Sequence, residues 1–303
     1  MRIRHLPIAL VTLTVIATAG CAAPEEDKSA SGGAEPTAKV STLKRDDAIA
    51  AKLPADIRKA GVVRVASGVS FPPMEYFDTD NKTVLGFDAD LGKALGQVLG
   101  VEFKFQNTNF DGIIGGLDAG RYDLGLTSMI DKKERQAKVD FVDYLNSGVT
   151  FMVAKGNPEN LTEQMDLCGR TVAVEKSATG DIVADDISAE CVKEGKDKIK
   201  ELPLPEQVGT LQALSSKRAD AVLALDLTLA YNVKQQPDAF ELGAEPFGLL
   251  PVGIPIPKNN SQLRDAVAAA LVKVQESGQY DQLLAKWNLK DQALKGAPIN
   301  KGK

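Results

Sequence analysis

Thr127 and Ser128 close the run Tyr122 to Leu126, which reads as a short strand. The carboxyl end of a strand in an open α/β sheet faces the ligand crevice. Hydroxyls and backbone N–H groups there can hold a carboxylate; the alternative is that both residues cap the next turn. Further along, Ser177-Ala178-Thr179-Gly180 precedes a helix, and free N–H groups at a helix start attract anions. Arg135 offers a planar fork that donates two parallel hydrogen bonds to a carboxylate. Within Asp131-Lys132-Lys133-Glu134-Arg135 it reads, taken alone, as a surface arginine in a charged turn. Glu75, Asp111, Glu175 and Asp226 are the acids placed to meet a ligand cation. Asp111 reads more simply as a helix cap, and Asp226 as a solvated acid after the strand Ala221 to Leu225. The single histidine is His5, so general acid–base chemistry would fall to Glu75, Asp111 or Glu175.

These groups need elements to hold them. Val62-Val63-Arg64-Val65-Ala66 is a β-branched strand, and Asp88 is expected to cap a helix with the face Leu91, Ala94, Leu95, Val98 and Leu99. Gly100 ends that helix. Val101, Phe103 and Phe105 alternate with polar residues as a strand does, and a short helix over Asp111 to Leu117 follows. A second series places strands at Thr171 to Val174 and Ala221 to Leu225, with helices from about Gly180 and around Gln207 to Ser216. The chain closes with a helix whose face is Leu263, Val267, Ala270, Leu271 and Val274, then a helix over Tyr280 to Trp287. Alternating strands and helices give an α/β fold.

Residues 1–20 read as an export signal: Arg2 and Arg4, then an uncharged run from Leu6 to Ala19 that is too short for a membrane span. It ends Thr18-Ala19-Gly20-Cys21, which resembles a bacterial lipobox with Cys21 as the lipid anchor; an ordinary secretory signal is the alternative. Residues 21–52 are polar and small and read as a disordered tether. The remaining roughly 250 residues suffice for two lobes. A net charge of −5 without a basic run argues against nucleic-acid partners. Cys168 and Cys191 form an even pair in an exported protein and read as a disulfide. Two free thiols or a metal site are the alternatives, and with His5 in the leader a His/Cys zinc site is excluded. No cofactor is expected.

An ordered set of segments then becomes specific. It comprises Ser70-Phe71-Pro72-Pro73-Met74-Glu75-Tyr76, Leu85-Gly86-Phe87-Asp88-Ala89-Asp90-Leu91, Asn109-Phe110-Asp111-Gly112, Arg121-Tyr122-Asp123-Leu124 and Lys133-Glu134-Arg135. Gly169-Arg170-Thr171-Val172, Arg218-Ala219-Asp220-Ala221 and Ser277-Gly278-Gln279-Tyr280 continue it. Over residues 53 to 289 the chain resembles the family-3 extracellular solute-binding proteins, the amino-acid receptors of ABC importers. The resemblance implies a two-lobed, periplasmic-binding-protein-like type II fold with two crossover hinge strands. The crossings are expected near Asn146 to Thr150 and Gly248 to Val252. Lobe 1 would comprise 53–146 plus 250–290, lobe 2 would comprise 147–249, and 291–303 would be a flexible tail.

By the same resemblance, Arg135 holds the ligand α-carboxylate; Thr127 and Ser128 at their strand end, and Ala178 and Thr179 at their helix start, are placed to complete it. Phe71 and Phe110 sandwich the apolar or cationic part of the ligand, although Phe110 also suits a core. Asp226 is the candidate for the ligand ammonium. Three positions depart from the pattern: Gly68 where relatives often carry an acid, Ile130 where they have Thr or Ser, and Leu225 where the lobe-2 acid usually stands. Glu175 is the alternative source of negative charge, and a compatible solute or betaine-like cation becomes an alternative ligand. The expected protein is a monomeric, lipid-anchored receptor on the extracellular face of the cell membrane. It delivers a small zwitterion to an ABC permease. An enzyme or a sensor on the same fold is the lesser alternative.

Overall fold

The computed structural model describes residues 40–303. The expected signal segment, Cys21 and most of the tether lie outside the described residues. The chain enters through two short helices, α1 (Asp47–Ala50) and α2 (Ala55–Ala60). Asp46 caps α1 through its side chain, which accepts from the Ala48 and Ile49 amides. Ala50 and Leu53 are fully buried, so residues 46–53 belong to the folded body and not to the tether expected to run to residue 52. The apolar positions Val40, Leu43 and Ile49 pack on the same core and supply the burial that orders them.

Next come β1 (Val62–Ser67), the small ribbon β2 (Tyr76–Phe77) and β3 (Val84–Leu85), α3 (Phe87–Leu99), β4 (Glu102–Asn107), α4 (Ile113–Asp118), β5 (Leu124–Gly125) and α5 (Lys133–Gln136). Strands β4, β1 and β5 form a parallel sheet in that order. Helix α3 buries the stripe Leu91, Ala94, Leu95, Val98 and Leu99 and is closed by Gly100 in the left-handed region, as the sequence pattern requires. Its start differs from the expectation. Gly86 is the cap, and Asp88 is the second residue of the first turn, fully buried.

The long strand β6 (Val139–Ala154) leaves this lobe and enters the second. The second lobe contains β7 (Thr171–Glu175), α6 (Thr179–Lys193), β8 (Lys200–Leu204), α7 (Gln207–Ser215), β9 (Ala221–Leu225), α8 (Asp226–Gln235) and β10 (Phe240–Leu242). Strand β11 (Phe247–Pro257) returns to the first lobe, which is completed by α9 (Ser261–Glu276) and α10 (Gln279–Trp287). The two crossovers pair with each other, Pro251 opposite Asn146 and Pro257 opposite Val139. From Val149 onward β6 pairs with β9, and β10 takes over from β11 as its other partner at Met152. The partner switch, with a register shift between Phe247 and Leu250, falls where the two crossings were expected. Cys168, in a turn before β7, is bonded to Cys191 on α6.

The segment expected to be a flexible tail is instead laid along β6. Ile299 bridges Val142, Ala293 bridges Leu145, and Gly302 is buried against Asp131. Few apolar side chains hold it. Its backbone amides are taken by buried carboxylates, which composition does not reveal.

Candidate functional site

The carboxyl ends of β1, β5, β7 and β9 converge on one cavity between the lobes, where an open α/β sheet places its ligand. The first lobe contributes Gly68, Phe71, Glu75, Phe110, Thr127 and Ser128; the second contributes Glu175, Ala178, Thr179, Gly180, Gln207 and the stretch Leu223 to Leu225. Of the residues expected from sequence, Phe71, Phe110, Thr127, Ser128, Glu175, Ala178 and Thr179 are brought together here.

Glu75 is placed by a tight backbone crossing. A Cβ on Gly86 would lie 2.1 Å from the Met74 carbonyl, and Gly86 has φ +125°, so only glycine lets this loop meet the start of α3. The Asp88 amide donates to the Met74 carbonyl at 2.9 Å. Thr127 Oγ1 donates to Glu75 Oε1 at 3.0 Å and accepts from the Gly68 amide. The Ser128 amide and the Tyr144 hydroxyl both donate to Asp88. Burial, then the Asp88 charge, pushes the Glu75 carboxyl well above the usual carboxylate range. Burial also raises Asp88, to about 6, against the hydrogen bonds from Tyr144 and Ser128. Of this coupled pair, burial and the Asp88 charge push Glu75 the further toward its protonated form.

On the facing lobe, Glu175 ends β7 at 5% exposure. Burial, followed by the charges of Glu206 and Asp111, raises it to about 8. Its carboxyl has no hydrogen-bond partner among the described residues. Helix α6 begins beside it. A Cβ on Gly180 would come within 2.0 Å of the Leu223 carbonyl, so glycine lets the helix start approach the end of β9. Gln207, fully buried at the start of α7, was not foreseen; a lone glutamine at a helix start carries no distinguishing pattern.

Arg135 stands at the cavity's edge and does not line it. Nη1 donates to the Ile130 carbonyl and Nη2 to the Ser177 carbonyl of the other lobe, each at 2.9 Å. The guanidinium lies 5.4 Å from the centre of the Phe110 ring. Burial lowers its pKa to about 10, so it remains a cation at neutral pH. Asp111 is not a helix cap: its carboxylate pairs with Lys176 across the cleft at 2.8 Å. Thr228 Oγ1 donates to the Pro72 carbonyl at 2.7 Å, a third link between the lobes.

Asp226 does not reach the cavity. As the first residue of α8 it accepts from Ser147 Oγ at 2.6 Å and from the Leu227 amide, and it faces a separate groove lined by Tyr76 and Trp287. Leu225, one residue earlier, is the side chain that lines the cleft; neighbouring residues at a strand end project to opposite sides. Gly68 leaves its position open, with Thr127 Oγ1 3.6 Å from where a Cβ would be. The acids at the site are therefore Glu75 and Glu175. The described residues contain no cluster suited to a metal.

Two α/β lobes, two antiparallel crossovers and a cleft with carboxyl, hydroxyl and aromatic groups define a solute-binding protein that closes on a small molecule. The chain matches the bacterial extracellular solute-binding proteins, family 3, over residues 63–290, and it belongs to that family. It is 31% identical to the arginine-binding protein ArgT of Corynebacterium glutamicum, covering 83% of this chain and 82% of the relative. It is 28% identical to the glutamine-binding protein GlnH of an ABC transporter of Bacillus subtilis, covering 94% and 97%. Among solved structures, an ancestral arginine-binding protein bound to arginine superposes with a TM-score of 0.70 at 31% identity, covering 75% of this chain and 98% of that one. An ancestral amino-acid-binding protein, a precursor of cyclohexadienyl dehydratase, superposes at 0.69 with 31% identity, covering 77% and 97%. The chain is an amino-acid-binding receptor of an ABC importer, and no described helix is long and apolar enough to cross a membrane.

Proposed function

We propose that the ligand is an amino acid with a cationic side chain, bound without turnover and passed to a membrane permease. The observation that carries this reading is the buried Glu175 carboxyl, unpaired in a cavity that also holds Glu75 and two phenylalanines. A buried carboxylate without a partner is costly; a ligand cation supplies one. Phe71 and Phe110 offer ring faces to the same cation. For the ligand carboxylate, Arg135 exchanges its bond to the Ser177 carbonyl, and the start of α6 adds backbone donors. Asp88 keeps its charge on the first lobe, while Glu175 supplies it on the second. The named ligands of ArgT and of the ancestral protein, both arginine, point the same way.

Calorimetric titration with L-arginine, L-lysine, L-ornithine, L-glutamine, L-cystine and glycine betaine tests the assignment. Saturable, tighter binding of the cationic amino acids is expected, with the ligand recovered chemically unchanged. Binding of glutamine or cystine alone would sink the cationic assignment. Preference for glycine betaine would favour a compatible-solute receptor, for which the phenylalanine pair is also suited. We further propose that Cys21 carries a lipid anchor and that the receptor works as a monomer. Retention of a Cys21→Ala variant in the membrane fraction would oppose the anchor.

A further inference from the structure

Residues 293–303 cross the first lobe in a course the binding site does not by itself require. Gln275 on α9 fixes the beginning: Nε2 donates to the Leu294 and Gly296 carbonyls, and Oε1 accepts from the Gly296 amide. The segment then follows the outer edge of crossover β6. The Asp143 amide donates to the Pro298 carbonyl, and the Phe141 amide donates to Asn300 Oδ1. Lastly, the Lys301 amide donates to Asp143 Oδ2, and the Gly302 amide donates to Asp131 Oδ2 at 2.7 Å.

Asp131 is where this course meets the cleft. It is fully buried. Its amide donates to the Pro251 carbonyl on crossover β11. Its other carboxylate oxygen accepts from Gln136 Nε2, which also donates to the Gly302 carbonyl. Asp131 and Gln136 bracket α5, and Arg135 lies between them, with its Nη1 on the carbonyl of Ile130. A four-residue helix has too few internal hydrogen bonds to fix its own orientation. Here the orientation is imposed from behind, by a buried aspartate whose amide holds the crossover and whose carboxylate is shared between the glutamine and Gly302.

We propose that residues 298–303 form a brace that positions Arg135, holding Asp131 and Gln136 so that the guanidinium reaches the cleft already aimed. The proposal rests on the reading of Arg135 as the group that receives the ligand carboxylate. Preorganised placement of a charged group commonly decides affinity, and a misplacement of about 1 Å weakens it by one to two orders of magnitude.

Gly302→Ala tests the brace, because a Cβ at this position would lie 1.8 Å from the Asp131 carbonyl oxygen and must displace the segment. A chain ending at Ala297 provides a second variant that removes the brace outright. Titration with L-arginine and with agmatine, its decarboxylated analogue, separates aiming from general stability. Both variants are expected to bind L-arginine roughly tenfold more weakly with agmatine binding unchanged. Amide exchange in a peptide spanning residues 130–138 is expected to accelerate, with that of β9 unaffected. Equal losses for the two ligands, or unchanged exchange over residues 130–138, would overturn the brace. If the unaltered protein bound neither compound, the cationic-ligand reading would fail, and exchange alone would decide the brace.

Discussion

Arg135 Nη2 and the Ser177 carbonyl oxygen meet at 2.9 Å across the interlobe cleft. Ser177 adopts φ +61°, a left-handed conformation uncommon for a residue with a side chain. The Asp181 carboxylate holds it there by accepting from the Ser177 amide. The turn thus presents its carbonyl to the arginine and its following amides to the cavity. A ligand carboxylate inserted here would meet a guanidinium on one lobe and helix-start N–H groups on the other, which supplies a physical cause for closure.

Arg135→Ala should therefore remove binding of a carboxylate ligand while both lobes stay folded. Truncating one partner of a buried, hydrogen-bonded charge pair costs about 2–5 kcal/mol, or roughly thirtyfold and more in affinity. Arg135→Lys should recover only part of this, because an ammonium lacks the fork. Calorimetry with circular dichroism as the folding control gives the answer. Unchanged affinity in the alanine variant would take Arg135 out of the site.

Binding should also consume hydroxide, or equivalently release protons. Burial holds Glu175 at about 8, so it is largely protonated near neutral pH, and burial raises Glu75 in the same sense. Pairing with a ligand cation favours their ionised forms and expels protons. Affinity should accordingly rise between about pH 6 and pH 8 by up to tenfold per unit for each proton released. Titrations in phosphate and in Tris should yield different apparent enthalpies, since the buffers take up the proton with different heats. Glu175→Gln should flatten the rise. Identical enthalpies in the two buffers would contradict the assignment.

Much of this architecture is legible in the sequence. The α3 stripe, the β9 run Ala221 to Leu225 and the crossings near Asn146 and Gly248 follow from periodicity and from the family likeness. So do most of the residues that line the cavity, because strand ends are fixed by the same patterns that fix strands. What escapes is direction. Asp226 and Leu225 differ by one position, and only the start of α8 decides which one faces the ligand. Asp88 reads as a cap because acids favour helix starts, but Gly86 shifts the start and sends the carboxylate into the core. The segment 291–303 is expected to be a flexible tail; its order comes from long-range bonds to Asp131, Asp140 and Asp143, which leave no local pattern.

The disulfide should matter to stability and not to recognition. Cys168 and Cys191 are separated by 23 positions, a loop whose closure is worth about 3 kcal/mol through the unfolded chain. Neither residue lines the cavity. The Cys168→Ser/Cys191→Ser double variant should lose about 3 kcal/mol of unfolding free energy, read from guanidinium titration, with its affinity within a factor of about two of the original. A large loss of affinity in protein that is still fully folded would show that the bridge shapes the cleft.

Asp143 yields a stability prediction whose sign is fixed by linkage. Burial first, and the nearby Asp131 charge second, raise its carboxyl to about 7, opposed by the hydrogen bond from the Lys301 amide. In the unfolded chain an aspartate titrates near about 3.9. Between these values the folded state holds the extra proton, so the contribution to stability is present in acid and is lost as pH rises through about 7. Glu75, Asp88 and Glu175 are raised in the same sense and add to the decline. Asp143→Asn imitates the protonated acid: its amide oxygen can still accept from Lys301, and its NH2 can donate toward Asp131. The variant should melt higher than the unaltered protein at pH 8, by a smaller margin at pH 5, match it only near about pH 4, and show a reduced rather than abolished dependence on pH. Thermal melts of the ligand-free protein across that range measure this directly. Equal slopes for the two proteins would mean that Asp143 is ionised in the fold and that another group holds the proton.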